Sequence, residues 1–403
     1  MSKNWKRKFY TIWTGQAISI LSSAVLQMAL IWHLTAKTGS AAVLSLASCA
    51  GFLPNAVLGL FAGAMVDRWN RKFTMIGADL FIAAVSFVLV IYGLFAEIPV
   101  WLVLVILFVR SVGTAFHTPA ISAVTPLLVP EDQLTKCSGY TQSLQTVGFI
   151  IGAAVAAVIY PVWSLSQIVL LDVFGAVIAS AAVAAVPIPS VEKLENPGTK
   201  PNIFAEMKDG YVALRENKSL FALLWIGAVF MLIFSPINAL FPLICMGYFG
   251  GTTTSASVAE IMFSVGMIAG GAIIGAWGGF KNRGVMILSA LWLMGVSITA
   301  AGLLPPTGFA AFAVLCVFMG FSAPFYTGPQ MALMQEKIEP ALLGRVFGLY
   351  GSISAAAMPL GLLLSGLFAD TAGIHTWFFI SGLAILLLAA ISSIFKHVRN
   401  TEQ

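Results

Sequence analysis

Hydrophobic residues make up 59% of the 403 residues and charged residues only 9%, with a mean hydropathy of +0.94. A soluble domain carries about 25% charged residues, so this chain cannot cover itself with a wet surface, and an ordinary soluble protein is excluded. The formal net charge of +5 comes with no basic, aromatic-interleaved patch of the kind that grips a phosphate backbone, and no nucleic-acid partner is expected.

Twelve apolar runs follow one another, beginning near Phe9, Val43, Phe73, Val100, Cys137 and Leu165, then near Leu220, Ser255, Gly284, Gly308, Leu343 and Thr376. A helix needs about 20 apolar residues to cross a bilayer, which predicts an all-α integral membrane protein with twelve transmembrane helices. The first run has a basic flank, but it is too long for a signal-peptide core and no small-residue cleavage site follows; it reads as an uncleaved span. If the helices alternate, Lys3, Lys6, Arg7, Lys8, Arg68, Arg71, Lys72, Lys136 and the cations from Lys193 to Lys218 share one side, as do those at Lys281, Arg283, Lys337, Arg345, Lys396 and Arg399. Only Lys37 falls opposite. The positive-inside rule then places both termini in the cytoplasm.

Between the second and third runs lies a very short charged link, Gly63 to Lys72, with three cations around a single Asp. Gly63 leaves room for a neighbouring helix, Asp67 stands at a helix end, and Arg68 and Arg71 share one side of a helical turn. Asn70 tolerates the positive φ that a tight reversal needs. The one substantial connector, rich in Pro and Gly and then amphipathic from Ile203 to Leu214, divides the chain into a six-helix bundle over 1–187, a connector over 188–218 and a second bundle over 219–403. A helix lying on the inner membrane face suits that amphipathic stretch.

The two halves repeat each other. Ile12-Trp13-Thr14-Gly15 matches Leu224-Trp225-Ile226-Gly227 at an offset of 212, which also carries Gly63 to Gly275, Asn70 to Asn282 and Arg71 to Arg283. Phe116-His117-Thr118 matches Phe325-Tyr326-Thr327 at an offset of 209. Internal repeats of this kind are how secondary transporters are built. Asp67 meets Gly279 in the second half, so a lock built on the short link is asymmetric.

The four cysteines and four histidines are scattered without paired spacing, so neither a disulfide framework nor a metal site is implied. There is no Walker A sequence, nucleophile elbow or HExxH. Hydrolysis of ATP within the chain is excluded, no cofactor is expected, and a membrane enzyme lacks its catalytic cluster.

Ionisable groups inside spans are costly and mark function. Arg110 falls about midway through the fourth run and must face the bundle interior with a partner. Asp172 in the sixth run is a protonatable partner for it; Glu260 in the eighth sits nearer the outer mouth; Asp79 in the third braces the Gly63–Lys72 link. Together they form the set of proton-coupling candidates. Gln16, Gln27, Phe116, Gln142, Asn238, Phe325 and Tyr326 are the inward-facing candidates for a substrate cavity. Trp5, Trp32, Trp101, Trp163 and Trp377 fit an aromatic belt at the span ends.

The link Gly63-Ala-Met-Val-Asp67-Arg68-Trp-Asn70-Arg71-Lys72 resembles the loop between helices 2 and 3 of the major facilitator superfamily, with nine of ten positions fitting and Asn70 replacing the usual Gly. Arg110-Ser-Val-Gly113 resembles that family's fourth-helix motif. The resemblance implies two pseudo-symmetric six-helix bundles around a central cavity, a cytoplasmic latch at Gly63, Asp67, Arg68, Arg71 and Lys72, and an Arg110 associated with proton coupling. The fifth run, Gly148-Phe-Ile-Ile-Gly152, keeps part of the glycine spacing of drug antiporters and lacks their proline.

Over the whole chain, segments such as Lys8-Phe-Tyr-Thr-Ile-Trp13, Val109 to Pro119 and Pro236-Ile-Asn-Ala-Leu-Phe-Pro242 are similar to the bacterial macrolide efflux transporters. That resemblance implies proton-driven export of a large hydrophobic cationic drug across the bacterial cytoplasmic (inner) membrane, by a protein that works as a monomer. An exporter of another amphipathic compound, such as a lipid or siderophore, is the alternative. A passive channel would lack a coupled pair like Arg110 with a carboxylate.

Overall fold

The computed structural model describes residues 4–130, 133–188, 211–212, 214–280, 282–338 and 342–399. Among them no strand forms, and twelve long helices carry the fold. These are α1 Trp5–Thr38, α2 Ala41–Arg68, α3 Arg71–Gly93, α4 Val100–Leu128, α5 Leu134–Ile159 and α6 Leu165–Ala185. They continue as α7 Lys218–Ala239, α8 Thr253–Trp277, α9 Arg283–Gly302, α10 Phe309–Lys337, α11 Leu343–Ala372 and α12 Ile374–Ile394. Among the described residues eleven are long and apolar enough to cross a membrane; α5 contains many side chains outside the described set. The chain is a multi-pass helical membrane protein.

It divides into two compact units: Met1–Thr38 with Leu46–Asn196, and Gly39–Ser45 with Pro197–Gln403. Most of the expected connector, including the amphipathic stretch from Ile203, lies outside the described residues. In unit 1, α1 packs on α5 and α6, and α3 packs on α4 and α6. Gly175 of α6 lets α1 come close: a methyl group there would strike Ser22 and approach the Ser19 Cα to 3.3 Å. An apolar core of Phe9, Ile12, Met75, Val124, Leu128 and Val183 joins the starts of α1 and α3 to the ends of α4 and α6.

In unit 2, α8 packs on α10, α9 on α10 and α12, and α7 on α11. A Cβ on Gly320 of α10 would fall on the Phe263 carbonyl of α8, so the two backbones touch directly. Small residues at helix interfaces allow this approach, and close packing replaces the hydrophobic driving force that lipid cannot supply.

The links at the ends of α2 and α8 correct one sequence reading. Asn70 is in extended backbone, φ −72°, and its Oδ1 accepts from the Lys72 and Phe73 amides as the N-cap of α3. The capping preference of Asn outweighs its tolerance of positive φ. Asn282 caps α9 in the same way. The left-handed turn instead falls at Gly278 and Gly279, φ 79° and 81°, just after α8, where a side chain would be strained. Trp32, assigned to the aromatic belt, is fully buried with its ring edge against Tyr160 at 5.8 Å; protein rather than headgroups surrounds it.

Candidate functional site

Unit 1 holds a buried polar core of two layers. In the first, Arg110 Nη1 of α4 donates to Asp172 Oδ2 of α6 at 2.5 Å and also to Ser86 Oγ of α3. Ser23 of α1 donates to Asp172 Oδ1 at 2.5 Å. Arg110 is 8% and Asp172 1% exposed, so water screens neither charge, and each stands in for the other's lost hydration.

In the second layer, Gln16 Nε2 of α1 donates to Asp79 Oδ2 of α3 at 3.0 Å. His117 Nε2 of α4 stands 3.1 Å from Asp79 Oδ1 without satisfying hydrogen-bond geometry. Asp79 therefore turns toward Gln16 and His117 rather than bracing the charged link, as the sequence suggested. Its α1 and α4 neighbours reach it because residues seven apart share a helix face.

That spacing organises the whole core. Gln16 and Ser23 on α1, Asp79 and Ser86 on α3, and His117 and Arg110 on α4 are each seven residues apart. Two turns put the layers about 10 Å apart along the helices. Sequence reasoning found Gln16, Asp79, Arg110 and Asp172. It missed the parts played by Ser23 and Ser86, although their seven-residue spacing from Gln16 and Asp79 was a usable signal, and it noted His117 only in the repeat match with Tyr326.

A cavity of about 260 Å³ lies between the layers, lined by Gln16, Ser19, Ser23, Asp79, Thr114, His117 and Thr118 with Ile20, Ala24, Ile82, Ile121 and Ala176. It touches the Asp79 pair directly and reaches the Asp172 layer through Ser23. Gln16 Oε1 and His117 Nε2 are buried there without hydrogen-bond partners.

The repeat carries this cavity into unit 2 and strips it of polarity. Phe230, Met231, Phe234, Phe263, Leu291, Met294, Ala323, Tyr326 and Thr327 line a pocket of about 100 Å³ there, with Ala290 and Ser322. The offsets of 212 and 209 take Ser19 to Met231, Asp79 to Leu291, Ile82 to Met294, Thr114 to Ala323 and His117 to Tyr326. Arg110 and Ser86 become Met319 and Ile298, both buried. One fold thus presents a charged chamber in unit 1 and an aromatic, thioether-rich one in unit 2.

The other candidates are placed as follows. Glu260 lies on α8; its Oε2 is buried and has no hydrogen-bond partner. Tyr326 packs on Phe230 at 5.1 Å, and Phe325 stacks on Phe321 at 4.8 Å. A methyl on Gly227 would lie 3.2 Å from the Tyr326 hydroxyl and 2.9 Å from that of Tyr350. Tyr350 donates to Gln330 Oε1 at 3.1 Å, two residues the sequence reading did not select.

Phe116 stacks on Trp69 at 5.8 Å and lines an apolar groove between α3 and α4 with Phe73 and Phe81. It does not line the polar chamber. Gln27 sits half-buried near Gly51 of α2, and Asn238 is exposed near the end of α7. The side chains of Gly63, Asp67, Arg68 and Gln142 lie outside the described residues. Within the expected latch, Lys72 Nζ donates to the Ala184 and Val186 carbonyls at 2.7 and 2.9 Å, and so caps the C-terminal end of α6. None of the four cysteines is in a disulfide.

A sequence model of the Major Facilitator Superfamily matches residues 12–359 and 223–403. The chain is 54% identical over 400 residues to the Macrolide efflux protein A of Streptococcus pyogenes, covering 99% of this chain and 98% of that one. It is 27% identical over 397 residues to the Multidrug efflux pump Tap of Mycolicibacterium fortuitum, covering 92% and 91%. In fold it resembles a solved bacterial homolog of the human lysosomal transporter Spinster, with a TM-score of 0.72, 14% identity and 99% of both chains covered.

Proposed function

The chain belongs to the major facilitator superfamily and is a transporter rather than an enzyme; from that premise we propose that it exports macrolide antibiotics in exchange for protons, by alternating access. It sits in the bacterial cytoplasmic membrane with both termini inside, and the lopsided distribution of Lys and Arg among its links supports that orientation. The observation that carries the substrate is the 54% identity, nearly end to end, with a macrolide efflux protein.

The buried Arg110–Asp172 pair supports proton drive. A carboxylate that takes a proton releases its guanidinium partner, and that exchange of partners is a change of packing in unit 1. In unit 2, Met319 stands at the position matching Arg110 and Ile298 at the one matching Ser86, so proton chemistry and apolar contact are divided between the units. A macrolide offers a large apolar face and one amine. Aromatic and thioether walls such as Phe230, Met231, Phe234 and Tyr326 suit the face, and a carboxylate such as Glu260 suits the amine.

The test is a susceptibility panel of cells with and without the chain, read with and without a protonophore. Raised resistance to macrolides that the protonophore abolishes is the expected result. Resistance to a different amphipathic compound alone would favour the alternative exporter, and resistance indifferent to the protonophore would remove proton drive.

A further inference from the structure

The second polar layer has no part in the Arg110–Asp172 exchange, yet it is built from the same kinds of group. An acid on one helix faces a base on α4, an α1 side chain donates to the acid, and Gln16 and Asp79 are buried while His117 is 14% exposed. We propose that Asp79 and His117 form a second proton-binding station, to which Asp172 hands its proton across the chamber between the layers. This rests on the proton-coupled reading above and assigns the route within it.

Three observations carry the proposal. His117 Nε2 stands 3.1 Å from Asp79 Oδ1, so a protonated imidazole would be charge-paired at once. The chamber that both residues line holds about 260 Å³, room for several waters at about 30 Å³ each. Its wall also carries Ser19, Ser23, Thr114 and Thr118, hydroxyls able to both donate and accept, and Ser23 is already bonded to the Asp172 carboxylate. Among the described residues the titratable or charged groups facing His117 are Asp79 on α3 and, one layer away, Arg110 on its own helix and Asp172 on α6. α1 contributes Gln16 and the two serines, which do not titrate.

The order of the stations follows from the helix directions. With the termini inside, α1 and α3 run outward, so Gln16 and Asp79 lie deeper toward the cytoplasm than Ser23 and Ser86. α4 runs inward, which puts His117 on the same inner side of Arg110. A proton arriving from outside binds Asp172 and frees Arg110. The Asp172 O–H bond then breaks, the Ser23 hydroxyl takes that proton as it passes its own to chamber water, and an N–H bond forms on His117 beside the Asp79 carboxylate. From there the imidazole releases the proton to the cytoplasm, and Asp172 regains Arg110. Histidine suits the inner station because it is the side chain whose charge ordinarily changes near cytoplasmic pH.

Inside-out membrane vesicles present the cytoplasmic face to the bath, and a pH-sensitive dye reads macrolide-evoked proton movement while bath pH is varied between about 5 and 8. Each protein is compared at equal membrane abundance, and its profile is normalised to its own maximum. His117→Gln should lower the flux by at least about tenfold and flatten its dependence on bath pH. Asp79→Asn should likewise lower the flux and change the shape of that profile, because the imidazolium loses the carboxylate 3.1 Å away. A purely structural role would scale the flux down at every pH and leave the profile unaltered. Wild-type profiles in both variants would overturn the second station and leave coupling at Asp172 standing. A wild-type protein that moves no protons on macrolide addition would overturn the coupling itself, and this proposal with it.

Discussion

Arg110 shows what a single buried charge demands. Its guanidinium reaches Asp172 and Ser86 from one nitrogen, so its removal strands an acid that is 1% exposed. Stranding one member of a buried ion pair costs about 3–5 kcal/mol, whereas replacing both members by apolar groups is often neutral. Arg110→Ala should therefore lower the melting temperature of the detergent-purified protein and abolish efflux. The double variant Arg110→Met, Asp172→Leu should recover most of the melting temperature and none of the efflux. Arg110→Lys should fall between wild type and Arg110→Ala in efflux, since Lys keeps the charge but loses the fork. Melting curves and drug accumulation assays read all of this; a double variant that melts as low as Arg110→Ala would show that the pair stabilises the fold outright. The pair itself was half legible beforehand. Arg110 announced its need for an interior partner and Asp172 was offered as one, but Glu260 and Asp79 were acids in apolar runs too, and nothing in the order of residues decided which carboxylate carries the proton.

At the scale of elements, the glycines and serines decide which helices meet. Gly320 brings the α10 backbone onto that of α8, and Gly175 admits Ser22 of α1 against α6. Because lipid tails are as apolar as the side chains, a helix pair held apart by one added group loses contacts that nothing replaces. Gly320→Val puts a branched side chain into the Phe263 carbonyl, and overpacking of this kind costs about 1–3 kcal/mol or more. The expected outcome is a broad, aggregated size-exclusion profile or a clearly lower melting temperature. Gly271→Val, on the open side of α8 where an added methyl meets nothing, should behave like wild type. If the two variants eluted and melted alike, direct backbone contact would not be what joins α8 to α10.

For the molecule as a whole, the two units are the same fold with opposite chemistry. Asp79, His117, Arg110 and Asp172 gather in unit 1, while the matching cavity in unit 2 is walled by Phe230, Phe234, Met231, Met294 and Tyr326. Glu260 is the acid in unit 2 whose buried Oε2 lacks a hydrogen-bond partner, which leaves it free to meet a cationic substrate. Glu260→Gln should therefore impair export of a macrolide bearing an amine and spare an uncharged analogue, measured as efflux of each from loaded cells. Equal loss of both would move Glu260 from substrate recognition to proton handling. No loss of either would leave the amine to neutral acceptors such as Gln330 and Tyr350.

The sequence by itself determined the membrane, the helices and the repeat. Spanning a bilayer is a condition on length and apolarity along one dimension, and an unbroken apolar run satisfies it whatever its neighbours do. The offset matches such as Trp13 with Trp225 needed only counting. Asn70 shows the limit even at short range, since its two local preferences, a left-handed turn and an N-cap, were both available and the entry of α3 selected the cap. What only the tertiary structure decided was the rotation of each helix about its axis. A turn of 100° per residue separates a side chain in the core from one facing lipid, and close contacts such as Gly175 with Ser22 set that angle, not composition. That is why only packing settled Asp172 as the partner of Arg110, why Phe116 faces Trp69 instead of the chamber, and why the parts of Ser23, Ser86 and His117 were settled only once α1, α3, α4 and α6 were packed together.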